Sequence, residues 1–142
     1  MKKTITIIFS VFMLILVSAP VYAADSSVAS AGLVSPQFIG IQSLSANLSI
    51  DSFGCTTSTG VLRPSSNSYT SYLTVSLQKY TASGWTTIKS WSGSATGLYG
   101  VTVTGSYYVA SGTYREASTA YIYNSSGVLV DSATAYSATV TY

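Results

Sequence analysis

The side chains able to carry chemistry in this 142-residue chain are few, and their spacing keeps them apart. Past residue 23 the acids are Asp25, Asp51, Glu116 and Asp131, the bases are Arg63, Lys79, Lys89 and Arg115, and Cys55 is the single thiol. There is no histidine, which excludes Ser-His-Asp and Cys-His catalysis and any His-ligated metal. Ser76-Leu-Gln-Lys79 spells the S-x-x-K spacing of penicillin-binding enzymes. That chemistry needs a helical turn to return Lys beside Ser, whereas on a strand the two point to opposite faces. A glycosidase pair needs carboxyls roughly 5 to 9 Å apart, and Glu116 with Asp131 across a hairpin is the one arrangement that offers it. Turn roles for Asp51 and Asp131, and a rim ion pair for Glu116, are the simpler assignment. No loop holds the two acids of a calcium site. We therefore expect no catalytic, cofactor-binding or metal-binding residues, and a non-enzymatic chain.

The aromatic residues are more informative. Trp85 and Trp91 flank one segment in the same phase, with Thr87 and Lys89 between them. Tyr72 and Tyr80 occupy the polar phase of the preceding segment, and Tyr121 and Tyr123 alternate outward further on. Rings on a flat sheet face can stack on sugars, with hydroxyls and Gln supplying hydrogen bonds, or form protein–protein hot spots. The competing assignment packs the tryptophans in the core and the tyrosines as cross-strand pairs. Side-chain exposure decides between them. Ser/Thr alternation also occurs in strand-forming pores, but no long hairpin here shows a clean apolar band.

These side chains must be positioned by strands. Lys2 and Lys3, the apolar run 5–17 and Val21-Tyr22-Ala23 read as a secretory signal peptide over residues 1–23. The apolar run is too short for a spanning helix, which needs roughly 20 residues. Its removal leaves 119 residues and takes two of the six bases, so four bases balance four acids. A neutral surface argues against nucleic acid and anionic membranes. No lipid-attachment cysteine follows residue 23 and no hydrophobic tail closes the chain, so release into the medium is expected, with no stable membrane insertion. Cys55 has no partner for an internal disulfide, and the fold must rest on its core alone.

Residues 24–36 read as a flexible leader and 37–142 as one domain. Leu44, Ala46, Leu48 and Ile50 alternate with polar residues, and Phe38, Ile39 and Ile41 precede them in the opposite phase, which predicts a bulge or a sheet switch near Gln42-Ser43. Strands are expected over Cys55–Leu62, Tyr69–Tyr80, Trp85–Trp91, Leu98–Val109 with a break at Gly105-Ser106, Thr113–Tyr123, and Val128–Tyr142 as one strand or two. Arg63 to Asn67 and Ser92 to Gly97 read as loops, and Asn124-Ser-Ser-Gly127 as a hairpin turn. Seven or eight short strands without a helix predict an all-β fold, an antiparallel sandwich or barrel, and one local motif narrows this to a single antiparallel sandwich. Gly112-Thr-Tyr114 at a strand start matches the tyrosine corner of immunoglobulin-like domains, which gives Tyr114 and Gly112 structural roles. The Cys pair and strand-C Trp of antibody domains are absent.

Much of the chain past residue 23 also resembles a family of small secreted proteins from Gram-positive, clostridial-type bacteria. The resemblance rests on Leu73-Thr-Val-Ser-Leu-Gln-Lys-Tyr80, Gly84-Trp85, Thr87-Ile-Lys-Ser-Trp91, Tyr107-Tyr-Val109, Gly112-Thr-Tyr-Arg115, Ser126-Gly-Val-Leu-Val130 and Tyr136-Ser-Ala-Thr. It implies secretion and an immunoglobulin or fibronectin-III-like sandwich in a domain family of unknown function. Glu116 departs from it, standing in the apolar phase of Tyr114, Ala120 and Ile122. The expectation is an extracellular interaction or surface-structural module whose partner is a protein or glycan at a cell surface. The alternatives are a carbohydrate-binding module using the exposed Trp and Tyr, and, more remotely, a small hydrolase built on Glu116 and Asp131.

Overall fold

The computed structural model describes residues 38–142. The signal segment 1–23 and the leader 24–36 lie outside the described residues. Eight strands follow one another: β1 (Ile41–Ile50), β2 (Cys55–Pro64), β3 (Thr70–Thr81), β4 (Gly84–Thr96), β5 (Val101–Tyr108), β6 (Thr113–Tyr123), β7 (Leu129–Tyr136) and β8 (Val140–Thr141). All pairings are antiparallel. One sheet runs β1-β2-β5, the other β4-β3-β6-β7, with β8 beside β6. First, second and fifth strands facing third, sixth and seventh is the immunoglobulin-like sandwich, and β4 on the edge beside β3 is its fibronectin-III form.

Alternation builds the core. Ile41, Leu62, Val101 and Val103 from the first sheet meet Leu73, Val75, Ala120 and Ile122 from the second. A second cluster at the far end joins Leu48, Leu77 and Tyr114. The expected bulge in β1 falls between Ile41 and Ser43 and lets Ile41 and Leu48, seven residues apart, share the buried face. Asn124 to Gly127 makes the expected β6–β7 turn: Gly127 takes a positive φ of 76°, and Asn124 Oδ1 accepts from the Ser126 and Val128 amides at 3.0 Å.

Four boundaries differ from the sequence reading, the first being the start of β5 at Val101 rather than Leu98, since residues 98–100 belong to the turn before it. Ser92 to Thr96 is strand, because each of these small polar residues has a register partner on β3, from Thr74 to Thr70. Arg63 and Pro64 extend β2, with Pro64 at the strand end beside Ile41. Strand β5 runs through Gly105-Ser106 without a break. Gly105 serves packing there, since a Cβ at this position would fall 2.1 Å from the Trp91 ring.

Candidate functional site

Both tyrosine-corner residues act as expected. The Tyr114 hydroxyl donates to the Ala110 carbonyl at 2.6 Å, with its ring buried at the start of β6. Gly112 exchanges two main-chain hydrogen bonds of 2.9 Å with Tyr142. A Cβ on Gly112 would meet Lys79 Cε at 2.7 Å and the Tyr114 hydroxyl at 3.3 Å.

The tryptophans do not share a face. In the β3–β4 register Leu77 faces Lys89 while Gln78 faces Thr87, so Ile88 is an extra residue on β4. One inserted residue reverses the alternation. Trp85 therefore stands beside Tyr80 on the outer face, and Trp91 beside Val75, packed on both core clusters. The same-phase reading of Trp85 and Trp91 is corrected by this bulge.

The remaining predicted rings converge. The polar phases of β3 and β6 form the outer face of the β4-β3-β6-β7 sheet, which carries Tyr72, Tyr80, Tyr121 and Tyr123 together with Trp85. Tyr80 is 58 % exposed, Tyr72 48 % and Tyr121 42 %. At one end Tyr72 and Tyr123 meet edge to face, with centroids 5.5 Å apart, and with Tyr121, Asn124 and Ser125 they line a shallow groove of about 630 Å³. Rows of paired hydroxyls cross the middle: Ser76 with Ser90 and Thr74 with Ser92 at 3.0 Å, and Thr119 with Thr134 at 3.1 Å.

At the other end a stack involves all four strands. The Arg115 guanidinium carbon of β6 lies 4.3 Å from the ring centre of Trp85 on β4 and 4.1 Å from that of Tyr136 on β7. Its Nε donates to Gln78 Oε1 of β3 at 2.8 Å, and Tyr80 packs on Trp85 with centroids 5.2 Å apart. Sequence reasoning singled out neither Arg115 nor Tyr136. The signal was present in phase: residues 115, 119, 121 and 123 alternate onto one face of the strand that begins at the corner.

The charged candidates for chemistry stay apart. Glu116 is fully buried in β6, in the inward phase that the sequence shows, so the expected rim ion pair is not formed. Its Oε1 accepts from the Ser118 hydroxyl at 2.7 Å and Oε2 has no partner. Desolvation pushes its carboxyl up to about 7, against the smaller opposing effects of the Ser118 hydroxyl and the Asn47 main chain. Asp131 stands within β7 rather than in the turn expected for it, and pairs with Ile122, six residues along β6 from Glu116, or about 20 Å at strand spacing. Its Oδ2 accepts from the amides of Gly40 and Ile41 at 3.0 and 3.2 Å, tying the start of β1 to the opposite sheet. The two carboxyls that a glycosidase would need are therefore not brought together. Ser76 and Lys79 also separate: Ser76 bonds Ser90, while Lys79 Nζ donates to the Ser111 carbonyl at 3.3 Å.

Asp51 closes the β1–β2 turn, its Oδ1 accepting from the amides of Phe53 and Cys55 at 2.8 and 2.9 Å. Cys55, half-buried at the start of β2, is a free thiol. Among the described residues no group of three His, Cys, Asp or Glu side chains could hold a metal ion, and no helix is long and apolar enough to cross a membrane. In comparisons with known proteins, no family model matches the chain and no curated protein matches it.

Proposed function

We propose that this chain is a secreted, non-enzymatic interaction module that binds a cell-surface protein or glycan through the outer face of its β4-β3-β6-β7 sheet. One observation carries the reading: five rings singled out from the sequence, on β3, β4 and β6, stand on one face of a sheet. Exposed tyrosines on a rigid scaffold supply large contact area with little side-chain entropy to lose. The first ligand class to test is carbohydrate, favoured by the tyrosine groove with Asn124 and Ser125 at its wall and by the hydroxyl rows beside it. Secretion rests on the signal segment 1–23, and the resemblance to small secreted clostridial-type proteins agrees with it.

Two measurements test this reading. N-terminal sequencing of protein from the culture medium is expected to begin at Ala24. A glycan array and a panel of purified host-surface proteins are then probed with the wild type, a Tyr72→Ala/Tyr121→Ala double variant, and Tyr99→Ala as a control. Tyr99 is 93 % exposed but lies in the β4–β5 loop, off the face. Binding lost in the double variant and kept in the control is the expected outcome. Equal binding by all three, or recovery only from membranes with residues 1–23 retained, overturns the proposal.

A further inference from the structure

We infer that Arg115 and the rings around it form a subsite for a carboxylate-bearing sugar, a uronic acid or a related acidic residue of a glycan. The inference rests on the reading of this sheet face as the contact surface and specifies its ligand at one end.

Arg115 is held but not neutralised. Trp85 and Tyr136 lie against its guanidinium and Gln78 takes its Nε hydrogen. Among the described residues its two Nη atoms have no hydrogen-bond partner, and neither is buried. A guanidinium fixed this way has already lost the side-chain entropy that binding would otherwise cost. It presents the donor edge that suits a carboxylate, bidentately and with charge-assisted strength.

Among the described residues no carboxylate of this chain meets Arg115, and we look for one on another molecule. Among the described residues Asp51 is engaged in its turn, Asp131 accepts the amides of Gly40, Ile41 and Ser132, and Glu116 is buried on the opposite side of β6. None of the three lies on this face, so the described parts of two copies stacked face to face would bring arginine to arginine. Charge complementarity therefore points to a foreign acid.

Two features select a sugar acid over an acidic peptide. The exposed rings of Tyr136, on the guanidinium, and of Tyr80, on Trp85 beside it, offer surfaces on which the C–H face of a pyranose can stack. The next rows of the sheet are the hydroxyl pairs Ser76–Ser90 and Thr74–Ser92, each hydroxyl keeping hydrogen-bonding capacity beyond its partner.

The test titrates the whole secreted protein with a galacturonic acid oligosaccharide and with its methyl ester, followed by tryptophan emission and by calorimetry. The ester keeps the ring and removes the charge. Tighter binding of the acid by about tenfold or more, the scale of a charge-assisted pair, is expected in the wild type. Arg115→Gln is expected to erase the difference, and Arg115→Lys to restore only part of it. Equal affinity for acid and ester, or no binding of either, overturns the inference, and the acid–ester comparison needs no variant that could misfold. An oligoglutamate peptide that binds more tightly than the sugar acid overturns the sugar assignment. The reading of the face as a contact surface is judged separately, by the Tyr72→Ala/Tyr121→Ala variant.

Discussion

The hydroxyl of Tyr114 reaches back four residues to the carbonyl of Ala110, at 2.6 Å, and closes the corner between β5 and β6. The bond is part of the far-end core, since the ring packs with Leu48 and Leu77. Tyr114→Phe keeps the ring and leaves the Ala110 carbonyl without this donor. Unfolding in urea is expected to show a loss of about 1–3 kcal/mol. Tyr121→Phe on the exposed face should stay within about 0.5 kcal/mol. Equal tolerance at the two positions would remove the corner as a stabilising element.

Glu116 makes stability depend on pH in the direction opposite to an ion-paired carboxylate. Its folded value of about 7 lies above the ordinary 4.5, so between these the folded state binds more protons than the unfolded chain. Stability is therefore undiminished below pH 4.5, falls as pH rises towards 7, and is lower by about 3 kcal/mol above that. Glu116→Gln cannot ionise, and its melting temperature should lose the downward slope between pH 4.5 and 7. The same slope in both proteins would assign it to another group.

Gly105 is the space that Trp91 occupies. Gly105→Ala sets a methyl group inside the indole's position and forces the ring out of the gap between β4 and β5. Overpacking of this kind costs about 1–3 kcal/mol. A red shift of tryptophan emission should accompany the loss of stability, because Trp91 would move toward solvent. Wild-type emission and stability would contradict this packing.

Cys55 has no such role. Its Sγ makes only a long contact of 3.9 Å to the neighbouring Thr56 carbonyl. Cys55→Ser is expected to change stability by no more than about 1–2 kcal/mol in the same urea series. A wild type that migrates as a disulfide-linked dimer, or a serine variant that does not fold, would refute this.

Alternation alone determined most of the fold. Leu73, Val75 and Leu77 against Tyr72, Thr74 and Ser76 specify a half-buried strand whatever its neighbours, because successive side chains on a strand point to opposite faces. The same rule placed Tyr72, Tyr80, Tyr121 and Tyr123 outward, and the local spacing of Gly112 and Tyr114 identified the corner. Glu116 also stood in the apolar phase of β6 in the sequence, and its burial is the literal consequence of that phase.

Strand pairing decided what alternation could not. The extra residue at Ile88 is a property of the β3–β4 register, and nothing in Thr86-Thr87-Ile88-Lys89 marks it. That insertion separates Trp85 from Trp91, sending one to the outer face and the other to the core. The stack on Arg115 is likewise tertiary. Trp85, Gln78, Arg115 and Tyr136 are distant in sequence and become neighbours only when β4, β3, β6 and β7 lie side by side. The distance between Glu116 and Asp131 follows from the same cause: a hairpin's register sets which residues face each other, and it pairs Asp131 with Ile122, six residues from the acid it would have needed.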